Sequence, residues 1–141
     1  MNVECIDHVA IQVKDLEKVT KLFSSAFGMK FTAPKNLPNL DVVNVFASNG
    51  IEFVAPYTPD GPAARSLKKR GEGSLSVLSL KVANMDEALA TLKSHGIRVV
   101  SVFESDNKKV KGALCHPADT FGLMVELVEY EKIHPIIAAE K

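Results

Sequence analysis

Residues 7–13, DHVAIQV, and residues 76–82, SVLSLKV, decide the fold. Each alternates apolar with small or polar residues, the period of a strand that lays one face on a core. Each then runs directly into a helix start. After the first comes KDLEKVTKLFSSAFG, where Asp15 is placed to cap, Leu16, Val19, Leu22, Phe23 and Phe27 recur at helical spacing, and Gly28 suits a left-handed stop. After the second comes ANMDEALATLKSHG, where Asn84 and Glu87 have the spacing of a capping box. There Met85, Ala88, Leu89 and Leu92 make the apolar stripe, and Gly96 ends it. Val13 and Val82 are 69 positions apart, and so are Asp15 and Asn84 (82 − 13 and 84 − 15). One constant offset across a strand and a helix marks a duplicated unit.

Three strand-like segments follow each helix. In the first half they are MKFTA, DVVNVFAS and IEFVAP, with Asn49-Gly50 as a hairpin signal between the last two. In the second half they are IRVVSVF, VKGALCH and GLMVELVEY. The order in both is strand, helix, strand, strand, strand. The fold class expected is therefore α+β: two βαβββ modules forming a curved eight-stranded mixed sheet around a central cavity. The first module covers residues 1–56 and the second 74–130; residues 57–73 are a linker with a short helix around Pro62–Lys69, and 131–141 a C-terminal tail.

Composition narrows the function classes. The chain has 141 residues, 46% hydrophobic and 24% charged, in the range of a globular protein. Its formal net charge is zero, which gives no electrostatic footprint for nucleic acid or an anionic membrane. There is no apolar run near the length of a membrane span, and the amino terminus MNVECIDHV lacks a signal-peptide pattern, so the expected location is cytoplasmic. Cys5 and Cys115 are too few for a disulfide framework, have no CxxC spacing and are expected to be reduced.

Strand alternation sorts side chains by face. Val9, Ile11 and Val13 are expected against the helix, leaving His8, Ala10 and Gln12 on the other face; Val77, Ser79 and Lys81 share the corresponding face of the second copy. Glu52 projects with Val54, and Glu126 with Met124 and Val128. His8, Glu52 and Glu126 thus all come from the faces turned away from the helices. A histidine with two carboxylates can hold a hard or borderline divalent ion and leave positions open for water or substrate. His116 is expected to begin the turn before the last strand, His95 to sit at a helix C-terminus, and Lys68-Lys69-Arg70 to be a solvated helix end.

The paired units resemble the vicinal oxygen chelate superfamily of glyoxalase I, extradiol dioxygenases, bleomycin-resistance proteins and methylmalonyl-CoA epimerase. The likeness covers about residues 5–130, and IDHVAIQVKDLEKVTKLFSSAFGMKF, IEFVAPYTPDGPAARSLKKRGEG and CHPADTFGLMVELVEY are most similar to the epimerase branch. The resemblance implies metal ligands at His8, Glu52 and Glu126, with Val77 at the place of a fourth, usually histidine. It also implies a catalytic role for Glu126 as proton shuttle and substrate-facing positions at Asn44 and Val77, Asn44 standing where the epimerase has a carboxylate base. The cofactor implied is a divalent metal ion (Zn, Co, Ni, Mn or Mg). Contact of the Lys68-Lys69-Arg70 run with CoA phosphates is a further implication of the likeness.

An amide cannot take a proton from a carbon acid near neutral pH. Two expectations about activity follow. One is a metal-dependent isomerase, epimerase or lyase acting on an acyl-CoA or a small α-oxygenated carbonyl compound. The alternative is a non-catalytic small-molecule binding protein of the bleomycin-resistance type. A facial-triad dioxygenase ranks last, because only His8 supplies an imidazole at a ligand position. The expected partners are a small-molecule ligand or substrate and a second copy of the chain in a homodimer, with neither nucleic acid nor membrane.

Overall fold

The computed structural model describes residues 1–131. The tail reading for 131–141 falls, apart from its first residue, outside the described residues. The elements in chain order are β1 (Val3–Gln12), α1 (Leu16–Phe27), β2 (Lys35–Leu37), β3 (Val42–Ala47), β4 (Ile51–Pro56), α2 (Pro62–Arg70), β5 (Leu75–Val82), α3 (Met85–Ser94), β6 (Val99–Glu104), β7 (Lys111–Cys115) and β8 (Val125–Glu129). Strand, helix, strand, strand, strand occurs twice, as the duplicated pattern requires. The eight strands are hydrogen-bonded in the order β2-β3-β4-β1-β5-β8-β7-β6. The sheet is mixed: β5 and β8 run parallel, while β2–β3, β3–β4, β6–β7 and β7–β8 are antiparallel. No described helix is long and apolar enough to cross a membrane.

By their contacts the described residues divide into two compact units, residues 10–76 and Met1–Val9 together with residues 77–131. In the 10–76 unit the core is Val13, Val45 and Phe53, with Ile11, Leu16, Val19, Phe23, Phe31 and Ile51 packed around it. Phe23 meets Phe53 edge-on at 4.9 Å between ring centroids, a geometry favoured by the ring quadrupoles. The stripe expected on α1 is only partly core-facing: Leu22 and Phe27 are 57% and 66% exposed. Asp15 caps α1 by accepting from the Lys18 amide, and Gly28, at φ 66°, closes it in the left-handed region.

One strand lies elsewhere than the sequence reading put it. MKFTA makes only an isolated bridge, Phe31 to Ala47, and the paired strand is Lys35–Leu37. Pro34, which has no N–H to give a ladder, separates the two. Asn49-Gly50 does turn β3 into β4, Ala47 pairing with Ile51 across three residues and Gly50 at φ 88°.

The N-terminus of α2 is held from a distance. Its cap is Gly61, which has no side chain to offer. Asp41 takes over the task, accepting from the Ala63 amide at 3.2 Å and from the Thr58 amide and hydroxyl at 3.1 and 2.6 Å. Those bonds, the Thr58 hydroxyl first, hold its carboxyl below the usual range. A Cβ on Gly61 would stand 2.0 Å from Asp41 Oδ2, so glycine is required there for close approach rather than for its φ.

In the other unit the core is Val82, Met85, Ala88, Leu92, Ala113, Cys115 and Leu127. Here the α3 stripe is buried as expected, with Leu89 packed at its margin. Asn84 accepts from the Glu87 amide at 2.9 Å and caps the helix. Burial is also the cause of the raised Cys115 thiol pKa, with Asp119 adding to it.

Candidate functional site

The residues on β1 that face away from α1 are buried rather than open. His8 is 7% exposed, Ala10 0% and Gln12 5%. A buried polar side chain needs partners, and each polar residue here has them. Gln12 donates to the Ser74 hydroxyl at 3.1 Å. His8 Nδ1 lies 2.6 Å from Asp7 Oδ2. The Asp7 side chain is 1% exposed, and its other oxygen accepts from the Tyr130 hydroxyl at 2.5 Å. Burial, then the bond to Asp7, pushes the Tyr130 phenol well up. Lys81 Nζ stands 4.6 Å from the centre of the Tyr130 ring and 2.7 Å from Glu4.

His8 Nε2 is 3.7 Å from Glu126 Oε1. The same oxygen of Glu126 accepts from the Ser79 hydroxyl at 2.8 Å. Strand pairing produces this contact: β5 and β8 run parallel with Ser79 opposite Glu126. Ser79 is fully buried. Two of the three predicted ligands, His8 and Glu126, are therefore brought together within one unit. Val77 is partly buried on β5, two residues before Ser79 and so on the same side of the strand.

The third, Glu52, is on β4 in the 10–76 unit and partly buried. Asn44, 8% exposed on β3, donates its amide to Glu52 Oε2 at 2.7 Å. Diagonal placement on an antiparallel pair makes this reach natural, since Phe46 is opposite Glu52 and Asn44 opposite Val54. Taken by itself, neither unit gathers three His, Cys, Asp or Glu side chains at ligating distance among the described residues.

The donors suit a divalent cation chemically. An imidazole whose Nδ1–H is bonded to a carboxylate presents the Nε2 lone pair, the form in which histidine binds metals. Carboxylate oxygens complete such a set for hard and borderline ions. Among the other histidines, His116 Nδ1 accepts from the Ala118 amide at 3.1 Å and caps the turn before β8, the place expected for it. His95 ends α3, its Nδ1 2.9 Å from the Thr91 carbonyl oxygen. Beside α2, a hollow of about 350 Å³ is lined by Lys14, Leu67, Lys68 and Glu72 among others.

Sequence reasoning missed Asp7, Ser79 and Tyr130. Strand alternation gives no signal for Asp7, since successive residues point to opposite faces, whereas this pair of side chains turns toward one another. Ser79 carried a usable signal, a hydroxyl inside an apolar strand on the same face as Val77. Tyr130 carried none, since only the fold returns it to Asp7, 123 positions away.

Comparison with known proteins now places the chain. Residues 7–113 match the model of the Glyoxalase/Bleomycin resistance protein/Dioxygenase superfamily, and the chain belongs to that family. Within it, the curated relatives are epimerases. The chain is 32% identical over 130 residues to the mitochondrial methylmalonyl-CoA epimerase of Bos taurus, covering 89% of this chain and 74% of that protein. It is 30% identical over 129 residues to the ethylmalonyl-CoA/methylmalonyl-CoA epimerase of Cereibacter sphaeroides, covering 86% and 95%. Among solved structures, the methylmalonyl-CoA epimerase of Mycobacterium tuberculosis superposes with a TM-score of 0.79 at 26% identity, covering 97% of this chain and 93% of that one.

Proposed function

We propose that this chain acts on an acyl-CoA as an epimerase-like isomerase, with Glu126 moving the proton. The observation that carries the reading is the Glu126 carboxylate, oriented by the buried Ser79 hydroxyl and 3.7 Å from His8 Nε2. Asn44 is an amide and cannot serve as base, and it is already engaged as a donor to Glu52. Glu126 is therefore the group that takes the proton from the carbon beside the thioester carbonyl, and inversion follows when the planar enolate is reprotonated on its opposite face by a solvent-derived proton. His8, Glu52 and Glu126 are the residues that would hold a divalent ion (Zn, Co, Ni, Mn or Mg). Such an ion supplies Lewis-acid stabilisation of negative charge beside a carbonyl. Val77 and Asn44 would face the substrate. The names of the relatives, methylmalonyl-CoA and ethylmalonyl-CoA epimerases, support a CoA thioester as substrate class. Lys14 and Lys68 beside the hollow near α2 offer positive charge for its phosphates.

A homodimer is the proposed assembly, because β6 ends the strand order and exposes Val100 and Val102 at 51% and 61%. Two free thiols, Cys5 and Cys115, fit a reducing compartment such as the cytoplasm. A second reading, binding without turnover, is favoured by the Asn44–Glu52 bond, which puts a neutral donor where the epimerase branch has its base.

The test is hydrogen exchange at the substrate carbon. The purified chain is incubated with methylmalonyl-CoA in D₂O with Co²⁺, Mn²⁺ or Zn²⁺, and deuterium at C2 is followed by mass spectrometry. Exchange that falls by at least about 100-fold in Glu126→Gln is the expected result. Thermal stabilisation by the CoA ester in metal-free chain, with no exchange under any ion, would establish the binding reading instead.

A further inference from the structure

We infer that Asp7 and Tyr130 are positioning residues that fix the tautomer and ring orientation of His8, so that its Nε2 presents a lone pair toward Glu126. The inference concerns the state of the imidazole and rests on the proposed function only for its consequence, that this lone pair is used.

Four observations converge on it. First, the Asp7 side chain is 1% exposed. A carboxylate removed from water must have both oxygens satisfied, and here they are: Oδ1 accepts from Tyr130 and Oδ2 meets His8 Nδ1. Second, an ionised carboxylate can only accept, so the proton between Asp7 and the imidazole belongs to Nδ1. A neutral ring carrying its proton there has none on Nε2. Third, Nε2 is the ring nitrogen that approaches Glu126 Oε1, at 3.7 Å. That separation is longer than a direct hydrogen bond, and the same Glu126 oxygen already accepts from the Ser79 hydroxyl. Fourth, Tyr130 is itself held. Lys81 sits over its ring and is tied to Glu4, so the phenol is aimed at Asp7 from a braced position.

This arrangement also accounts for the local break in strand alternation. Adjacent side chains on an extended strand normally diverge. Asp7 and His8 instead turn together, and Tyr130, just past the end of β8, takes the carboxylate oxygen that the histidine leaves.

The experiment reads the imidazole directly. Chain labelled with ¹⁵N-histidine is examined by long-range ¹H–¹⁵N correlation at about pH 9, above the ordinary imidazole range. The expected wild-type spectrum has His8 protonated on Nδ1. Asp7→Asn, nearly isosteric but able to donate from its amide, should transfer a large part of the population to the Nε2–H form. Tyr130→Phe, which removes one hydroxyl, should broaden or mix the signals with a smaller transfer. A wild-type His8 protonated on Nε2, or an Asp7→Asn spectrum unchanged from wild type in a chain with native circular dichroism, would overturn the inference.

A parallel titration with Co²⁺ alone separates the two proposals. If His8 is a ligand, Asp7→Asn should weaken Co²⁺ binding by about 10- to 100-fold. Wild-type chain that binds no Co²⁺ would sink the metal reading while the tautomer spectra stand.

Discussion

The two copies of the βαβββ unit keep the same scaffold and differ in chemistry. Both helices are capped by a short acceptor at the same offset, Asp15 on the Lys18 amide and Asn84 on the Glu87 amide. Yet α3 buries Met85, Ala88 and Leu92, while α1 buries no residue fully. The site residues diverge further. Where β1 carries Asp7 and His8, β5 carries Ser76 and Val77. The glutamates on the last strand of each copy are held by different donors, Glu52 by the Asn44 amide and Glu126 by the Ser79 hydroxyl. Caps and apolar stripes satisfy demands that every copy of the fold makes. The polar residues satisfy a demand made only once, so the copies were free to part there.

The largest effect that sharpens this comparison is expected in the helix cores. Met85→Ala should cost about 2–5 kcal/mol in chemical denaturation, because the side chain is 2% exposed and leaves a cavity. Leu22→Ala on α1, 57% exposed, should stay within about 0.5 kcal/mol. Equal costs would mean that the two helices are packed alike after all.

Next comes Asn44→Glu, which replaces the donor to Glu52 with a second carboxylate. A loss of about 1–3 kcal/mol is expected at neutral pH. Like charges raise the pKa of one carboxyl in the folded variant. The deficit should therefore be largest above that raised value and shrink as pH falls through it and the pair takes up a proton. A deficit that grows on acidification would show that the two groups do not meet.

Removing the caps should give smaller and matched losses. Asp15→Ala and Asn84→Ala should each cost about 1 kcal/mol in thermal or urea unfolding, since each leaves one helix-start amide unsatisfied. A twofold difference between them would break the equivalence of the copies.

The smallest effect concerns two loop carboxylates, one in each unit. Asp119 receives the Arg98 side chain at 2.9 and 3.0 Å and the Arg98 amide at 2.9 Å. These hydrogen bonds, the side chain's first, hold its carboxyl at about 2. Because the folded value is depressed, its contribution is complete above the ordinary value of 3.8 and is lost as pH falls toward 2. Arg98→Ala should return Asp119 toward 3.8 in an NMR titration and flatten that part of the acid limb. Asp41, held mainly by the Thr58 hydroxyl, should respond less than Asp119 to salt at about 1 M, where ionic interactions are screened within about 3 Å.

Much of the fold was legible because its signals are local. Gly28 and Gly96, the two caps and the strand alternation each concern a few neighbouring residues. The misplaced strand near Phe31 and the exposed Leu22 and Phe27 mark the limit of that reasoning. An apolar residue at helical spacing says that a face exists, and only packing says how wide a part of it is covered. The candidate site was legible to the same depth. His8, Glu52 and Glu126 stood out by residue type and strand face, and Asn44 only through the family likeness, while the partners that orient them did not.

Sequence by itself determined the duplicated α+β architecture, the capped helices and the residue types available for chemistry, because these depend on periods of two and 3.6 and on backbone preferences. The tertiary structure alone decided which groups meet: Tyr130 on Asp7, Ser79 on Glu126, Asn44 on Glu52. Those contacts are set by the strand pairing register and by burial. A hydrogen bond that spans 123 positions leaves no periodic trace in the chain that forms it.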